Sequence, residues 1–218
     1  MNTDMSNEMN TVEITADYNN KIKIRVTPGH FATNHSHVNY YIDLTDIKTQ
    51  YRMAREAGRE LAKRYTDRNQ IDAIICLEST EAVGAFLAQD LGHHGIHINS
   101  GRDIAVIVPE TNQNNQLIFR ENLHSKIENK HVLILMSTVS TGKTISRSVE
   151  CIQYYGGHLV GAAALFSAID EFKDIRIESL FHSGDVPEYK SSLSYDCELC
   201  KSGHKVDAII NHYGFSKI

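Results

Sequence analysis

The segment His131 to Ile145, HVLILMSTVSTGKTI, constrains this chain more than any other. HVLILM (131–136) is a continuous apolar run, the pattern of a strand buried on both faces of a sheet. STVSTGKT follows, short and rich in hydroxyls and glycine, and a helix is predicted from about Thr144 to Tyr155, stopped by Gly156-Gly157. A buried strand passing through such a loop into a helix is half of a βαβ unit.

The rest of the chain repeats that theme. KIKIRV (21–26) alternates cationic and apolar residues as a half-buried strand, ended by PGH. FATNHSHVNYYIDL (31–44) reads as a polar loop and a second short strand. From Thr45 or Asp46, apolar positions recur at helical spacing to about Tyr65. IDAIICL (71–77) is another doubly buried strand, and EAVGAFLAQDLG is a helix closed by Gly92. DIAVIVP (103–109) and LIFREN (117–122) flank the polar tip ETNQNNQ as a β-hairpin. HLVGAAALFSAI (158–169) is the next strand, and beyond Asp170 the pattern is short and polar.

Strands alternating with amphipathic helices predict an α/β protein with a mainly parallel sheet of five or six strands, flanked by helices. One domain is expected over 21–218, with its core at about 40–170. A small hood is expected from about 21–40 and 171–218, and residues 1–20 are expected to be a mobile segment. A chain of 218 residues, 41% apolar and 22% charged, with a net charge of −5, fits a globular protein. It argues against a nucleic-acid binder, which would carry a basic stripe. No apolar run spans a bilayer, and the polar, acidic start is unlike a targeting peptide. A cytoplasmic protein is expected.

In a sheet of this kind, ligands bind at the carboxyl ends of the strands. Free backbone N–H groups and the helix dipole make the loop at 140–144 suited to a phosphate. Gly142 allows close approach, while Ser140, Thr141 and Thr144 offer hydroxyls; the bland alternative is an ordinary helix cap. A nucleotide P-loop requires GxxxxGK[ST], but Ser137 occupies the place of its first glycine and no Walker-B acid follows.

The segment resembles instead the phosphoribosyl pyrophosphate motif of type I phosphoribosyltransferases: hydrophobic strand, two acids, short spacer, TTGxT, helix. HVLIL is similar to the strand and Ser140-Thr141-Gly142-Lys143-Thr144 to the loop. IDAIICLESTEAVGAFLAQDL is similar to the family's pyrophosphate-loop strand and helix, with Glu78-Ser79-Thr80-Glu81 as the loop. The hairpin at 104–122 falls where the family has a mobile catalytic loop. The tail Tyr213-Gly214-Phe215-Ser216-Lys217 resembles the orotate-related branch. The resemblance implies transfer of ribose 5-phosphate from phosphoribosyl pyrophosphate to a nitrogenous base, with magnesium accompanying the pyrophosphate, and a homodimer.

Three departures qualify the implied activity. Met136 and Ser137 stand where the family has paired acids, and neither supplies negative charge to a cationic ribosyl transition state. Glu78 is the candidate to supply an acid from across the site. Glu81 would repel a pyrophosphate unless a metal bridged them. The hairpin tip lacks lysine, leaving Arg120 and Lys126 further along. The alternative is therefore a non-catalytic regulator that binds a nucleotide or sugar phosphate; a third reading is a transferase or hydrolase of another phosphorylated ligand.

Four cysteines are too few for a disulfide scaffold in a chain this long. Cys76 and Cys151 read as core. Cys197 and Cys200, spaced CxxC, are half of a structural zinc site or two reduced thiols in a turn; a redox pair would need a different setting. His204 and His212 nearby, or His30, His35 and His37, are the candidates to complete four ligands. Tyr40, Tyr41, Tyr154 and Tyr155 are expected to pack or form interfaces.

Overall fold

The computed structural model describes residues 10–34, 36–65, 69–93, 95, 97–112 and 116–218. Strands β1 (Val12–Ala16), β2 (Asn19–Ala32) and β3 (His37–Asp43) open the chain. Helices α1 (Thr45–Thr49) and α2 (Tyr51–Tyr65) lead to β4 (Ala73–Cys76), α3 (Glu81–Gly92) and β5 (Ala105–Ile107). A small hairpin, β6 (Glu110–Thr111) and β7 (Leu117–Ile118), precedes α4 (Glu121–His124). Then come β8 (His131–Val139), α5 (Lys143–Tyr154), β9 (His158–Ser167), β10 (Glu171–Phe172) and β11 (Ile175–His182). The tail holds β12 (Ser191–Ser192), α6 (Glu198–Lys201), β13 (Ala208–Asn211) and β14 (Gly214–Lys217).

The central sheet has the order β10-β11-β9-β8-β4-β5, parallel except for β10. Its middle strand accounts for the apolar run in the sequence. Leu133 and Leu135 face one core, beneath Leu61 of α2 and Leu87 of α3, whereas Val132, Ile134 and Met136 face a second core, beneath Ile145 and Ile152 of α5. All five β8 residues are fully buried, each contributing roughly 1.5–3 kcal/mol of apolar burial.

The second sheet, β12-β3-β2-β13-β14 with β1 also on β2, joins residues 12–43 to residues 191–217 and forms the hood. Several sequence expectations change here. Residues 12–16, placed in a mobile segment, pair antiparallel with β2; residues 1–9 lie outside the described part. β2 does not stop at PGH but runs to Ala32, because a bulge between Pro28 and Phe31 absorbs the missing proline N–H. The core reaches beyond 170: β11 is parallel to β9, and its Ile177, Leu180 and Phe181 are buried. The long helix expected to Tyr65 is broken at Gln50, whose backbone is extended. The expected large hairpin shrinks to β6 and β7, since 105–107 are taken by the parallel sheet. No described helix is long and apolar enough to cross a membrane.

Asp72 ties the entrances of β4 and β8 together. Its Oδ2 accepts from the His131 backbone N–H at 2.9 Å, and its Oδ1 accepts from Gln70 at 2.9 Å and Arg102 at 3.2 Å. Burial alone would raise its pKa, but the hydrogen bonds from His131 and Gln70 prevail and hold it at about 2. The stabilisation is present above the unfolded value, near pH 4, and is lost as the pH falls toward 2. This contribution is on the order of 2 kcal/mol. Asp72→Asn should lower stability by roughly that amount at neutral pH, and urea titrations of the two proteins should converge near pH 2.

Candidate functional site

β4 and β8 are neighbours in parallel register, Ala73 beside Val132 through Cys76 beside Leu135, so their carboxyl ends emerge together. A cavity of about 580 Å³ lies between those ends and the hood. Glu78, Ser79 and Glu81 line it from the loop after β4, and Ser140 to Thr144 line it from the loop after β8. Tyr40, Tyr41 and residues 210–213 close it from the hood.

In the second loop, Gly142 has φ +74° and precedes α5 without any side-chain cap. A Cβ at this position would run into the Phe172 ring. Glycine is therefore required twice, by the left-handed backbone and by the close ring. The uncapped helix end presents N–H groups to the cavity, beside the Ser140, Thr141 and Thr144 hydroxyls. Lys143 and, one turn on, Arg147 are exposed at the same wall and add positive charge.

The first loop is built differently. Glu78 and Ser79 have φ +58° and +62°, consecutive left-handed residues that are not glycine. Such backbone persists where surrounding contacts over-determine it. Here Glu78 Oε2 accepts hydrogen bonds from Ser137 Oγ at 2.7 Å, Thr138 N at 3.1 Å and Ser137 N at 3.2 Å. The carboxylate thus lies across the end of β8, at the position where the sequence places Met136 and Ser137. Met136 lines the cavity floor, while Ser137 is buried and donates to Glu78.

Thr80 does not face a ligand. It is fully buried, and its hydroxyl donates to the carbonyls of Leu77 at 2.8 Å and Leu135 at 3.1 Å. It pins the loop, whereas Glu78, Ser79 and Glu81 present side chains to the cavity. Of the hairpin, Thr111 and Leu117 reach the cavity; Arg120 does not, being paired with Glu110 at 2.5 Å, and Lys126 does not line it. Tip residues 113–115 lie outside the described part.

Sequence reasoning missed Lys48. Its ammonium donates to the His212 carbonyl at 2.5 Å. Burial lowers its pKa, against the opposing pull of Glu78, Asp43 and Glu81. It lies on α1, where a lone lysine reads as a solvated face, so no sequence signal marked it. Tyr40 and Tyr41, expected to pack, also wall the cavity, and Tyr41 stacks edge-on with Phe215 at 5.2 Å.

No protein-family model matches this chain, and no curated protein matches it in sequence. Solved structures do match. Orotate phosphoribosyltransferase of Mycobacterium tuberculosis H37Rv, in complex with phosphoribosyl pyrophosphate, covers 67% of this chain and 82% of its own, with 19% identity and a TM-score of 0.50. Leishmania donovani UMP synthase covers 82% of this chain and 36% of its own, with 18% identity and a TM-score of 0.52. Adenine phosphoribosyltransferase of Thermoanaerobacter pseudethanolicus covers 66% and 88%, with 18% identity and a TM-score of 0.50.

This chain has the phosphoribosyltransferase fold.

On this phosphoribosyltransferase fold a second cluster lies in the hood, apart from the cavity floor. His30 Nε2 is 3.5 Å from Cys197 Sγ and 3.6 Å from Cys200 Sγ, and His37 Nδ1 is 3.3 Å from Cys200 Sγ. The four ligand atoms all lie within 4.8 Å of one another. Of the other candidates, His204 contributes only its carbonyl, His212 is at the cavity, and His35 lies outside the described residues. Cys76 is a core residue, its thiol pushed up to about 12 by burial.

Gly142→Ala should destabilise this phosphoribosyltransferase-fold protein by about 1–3 kcal/mol. Adding Phe172→Ala should recover only the part due to the ring. Thermal melts measure the first effect, and phosphorus NMR titration with inorganic phosphate should show weaker binding by the single variant.

Proposed function

We propose that the cavity binds phosphoribosyl pyrophosphate and transfers its ribose 5-phosphate to a nitrogenous base, orotate-type by resemblance, releasing pyrophosphate. One observation carries this reading: two loops of the expected chemistry meet at the carboxyl ends of adjacent parallel strands, with a carboxylate held between them. The 5-phosphate is assigned to the Ser140 to Thr144 loop and the α5 N-terminus, with Lys143 and Arg147 contributing charge. In the transfer, the ribosyl C1–O bond to pyrophosphate breaks, the electron pair leaves with the pyrophosphate, and the base nitrogen forms the new C1–N bond. The nitrogen's proton passes to solvent.

Positive charge develops on the ribosyl group as that bond breaks. Glu78 is the acid positioned to oppose it, aligned by Ser137 and Thr138 and standing in for the acids missing from β8. Magnesium fits the oxygen donors of the same wall, the carboxylates of Glu78 and Glu81 and the hydroxyl of Ser79. When bound, it would neutralise the leaving pyrophosphate and relieve its repulsion from Glu81. The hood residues Tyr40, Tyr41 and Asn211 would select the base.

A second reading, a non-catalytic binder of a nucleotide or sugar phosphate, is favoured by the buried thioether of Met136 at the cavity floor. Calorimetry with phosphoribosyl pyrophosphate and with nucleoside monophosphates, alongside a pyrophosphate-release assay with a panel of bases and magnesium, separates the two. The transferase reading expects pyrophosphate release that depends on both base and Glu78. Glu78→Gln should cut that rate by about 10²–10³-fold, with monophosphate affinity changed by less. Tight monophosphate binding with no pyrophosphate release for any base would sink the transferase reading and leave the binder.

A further inference from the structure

We propose that His30, His37, Cys197 and Cys200 form a tetrahedral zinc site that fastens the C-terminal tail to the hood and thereby fixes one wall of the cavity. Zinc bonds of about 2.3 Å to sulfur and about 2.0–2.1 Å to nitrogen, arranged tetrahedrally, separate the ligand atoms by roughly 3.3–3.8 Å. The observed separations are 3.0 Å between His30 Nε2 and His37 Nδ1 and 3.3–3.6 Å for three sulfur–nitrogen pairs. Four of the six donor–donor separations are therefore close to those of a tetrahedral site, and all lie within 4.8 Å. Two thiolates and two imidazoles select a borderline-soft divalent ion over magnesium or calcium.

The surroundings of His30 support the same assignment. Its Nδ1 lies 3.0 Å from the His204 carbonyl and 3.1 Å from the Lys205 carbonyl, both acceptors. That ring nitrogen must carry the proton, which leaves the Nε2 lone pair directed at the cluster. Metal-ligating histidines characteristically donate their other N–H in this way. His30 and Cys197 are buried, while His37 is half-buried and Cys200 exposed, so the site sits at the rim of the hood with four protein ligands and a closed coordination shell.

The hood gains from such a fastening. Its separate apolar cluster contains three fully packed residues, Phe31, Val38 and Ala208, too little to hold the tail by burial alone. The tail adds only two parallel pairs to β2, Ala208 beside Phe31 and Ile209 beside Ala32, and the His30 backbone N–H donates to Asp207 at 2.7 Å. Yet Ile210 to Tyr213, immediately after those pairs, face the cavity. Metal binding that joins β2, β3 and α6 adds a strong constraint to these contacts, and its free energy becomes folding free energy for this sheet.

The test uses the full-length, tag-free protein purified under reducing conditions. Metal analysis should find about one zinc per chain. Exchange into cobalt(II) should give the intense visible bands of a tetrahedral centre and near-ultraviolet thiolate-to-cobalt charge transfer. Cys200→Ser and His37→Ala should each weaken zinc binding by at least about a hundredfold. If these variants fail to fold, the wild-type cobalt spectrum decides alone. Metal-free protein with Cys197 and Cys200 both reactive toward a thiol reagent, or joined as a disulfide, would overturn the site; so would an octahedral, thiolate-free cobalt spectrum. Stripping the metal with a chelator should reduce nucleoside monophosphate affinity at least about tenfold. Unchanged affinity in the stripped, folded protein would overturn the positioning role. Only this last link rests on the cavity being a ligand site, because zinc content is measured independently of it.

Discussion

The cavity depends on the parallel pairing of β4 with β8. Because Ala73 to Cys76 lie beside Val132 to Leu135, the two chains leave the sheet at the same level, and their loops are obliged to share one space. Three further contacts cross the same seam. Asp72 binds the two strands at their entrances, Thr80 donates to the carbonyl of Leu135, and Glu78 accepts from the backbone N–H groups of Ser137 and Thr138. A sheet interior is rigid, so groups placed at its edge by such contacts keep their separation without being held by a ligand.

That seam also sets where acidic groups stand around the cavity. An acid at Met136 would be buried among Ile75, Ile134 and Ile145, where ionisation is strongly disfavoured. Glu78 instead arrives from the loop above, half-exposed, and accepts three hydrogen bonds from Ser137 and Thr138. The two left-handed residues of that loop are the conformational cost of aiming the carboxylate downward. Charge is thus relocated from one strand to its neighbour, and the cavity retains mixed character: acidic on the β4 side, cationic at Lys143 and Arg147.

The hood is a different kind of structure. The central sheet is stabilised by two large cores on opposite faces, whereas the outer part of the hood has a cluster of three buried apolar residues of its own. It is assembled from the two ends of the chain, so its contacts close very long loops, with His30 and Cys197 separated by 167 positions. Closing a loop of that length carries an entropy that a small apolar cluster offsets poorly. Polar fastenings, of which the His–Cys cluster is the densest, replace burial there.

Apolar runs and glycine punctuation alone determined the doubly buried β4 and β8, the helices α3 and α5, the mainly parallel sheet and the anion-suited loop at 140–144. Each of these is written in a continuous stretch of residues, where periodicity and turn chemistry act locally. The pairing of Cys197 and Cys200 was legible as spacing, but not which histidines completed the set. Tertiary structure alone decided that His30 and His37 face the cysteines, that the Glu78 carboxylate meets Ser137 and Thr138 of β8, and that Lys48 reaches the His212 carbonyl. It also turned Thr80 inward, continued β2 through Pro28 and moved β11 into the core. Those outcomes depend on which distant strands become neighbours, and strand pairing is settled by burial summed over the whole fold rather than by any segment of the sequence.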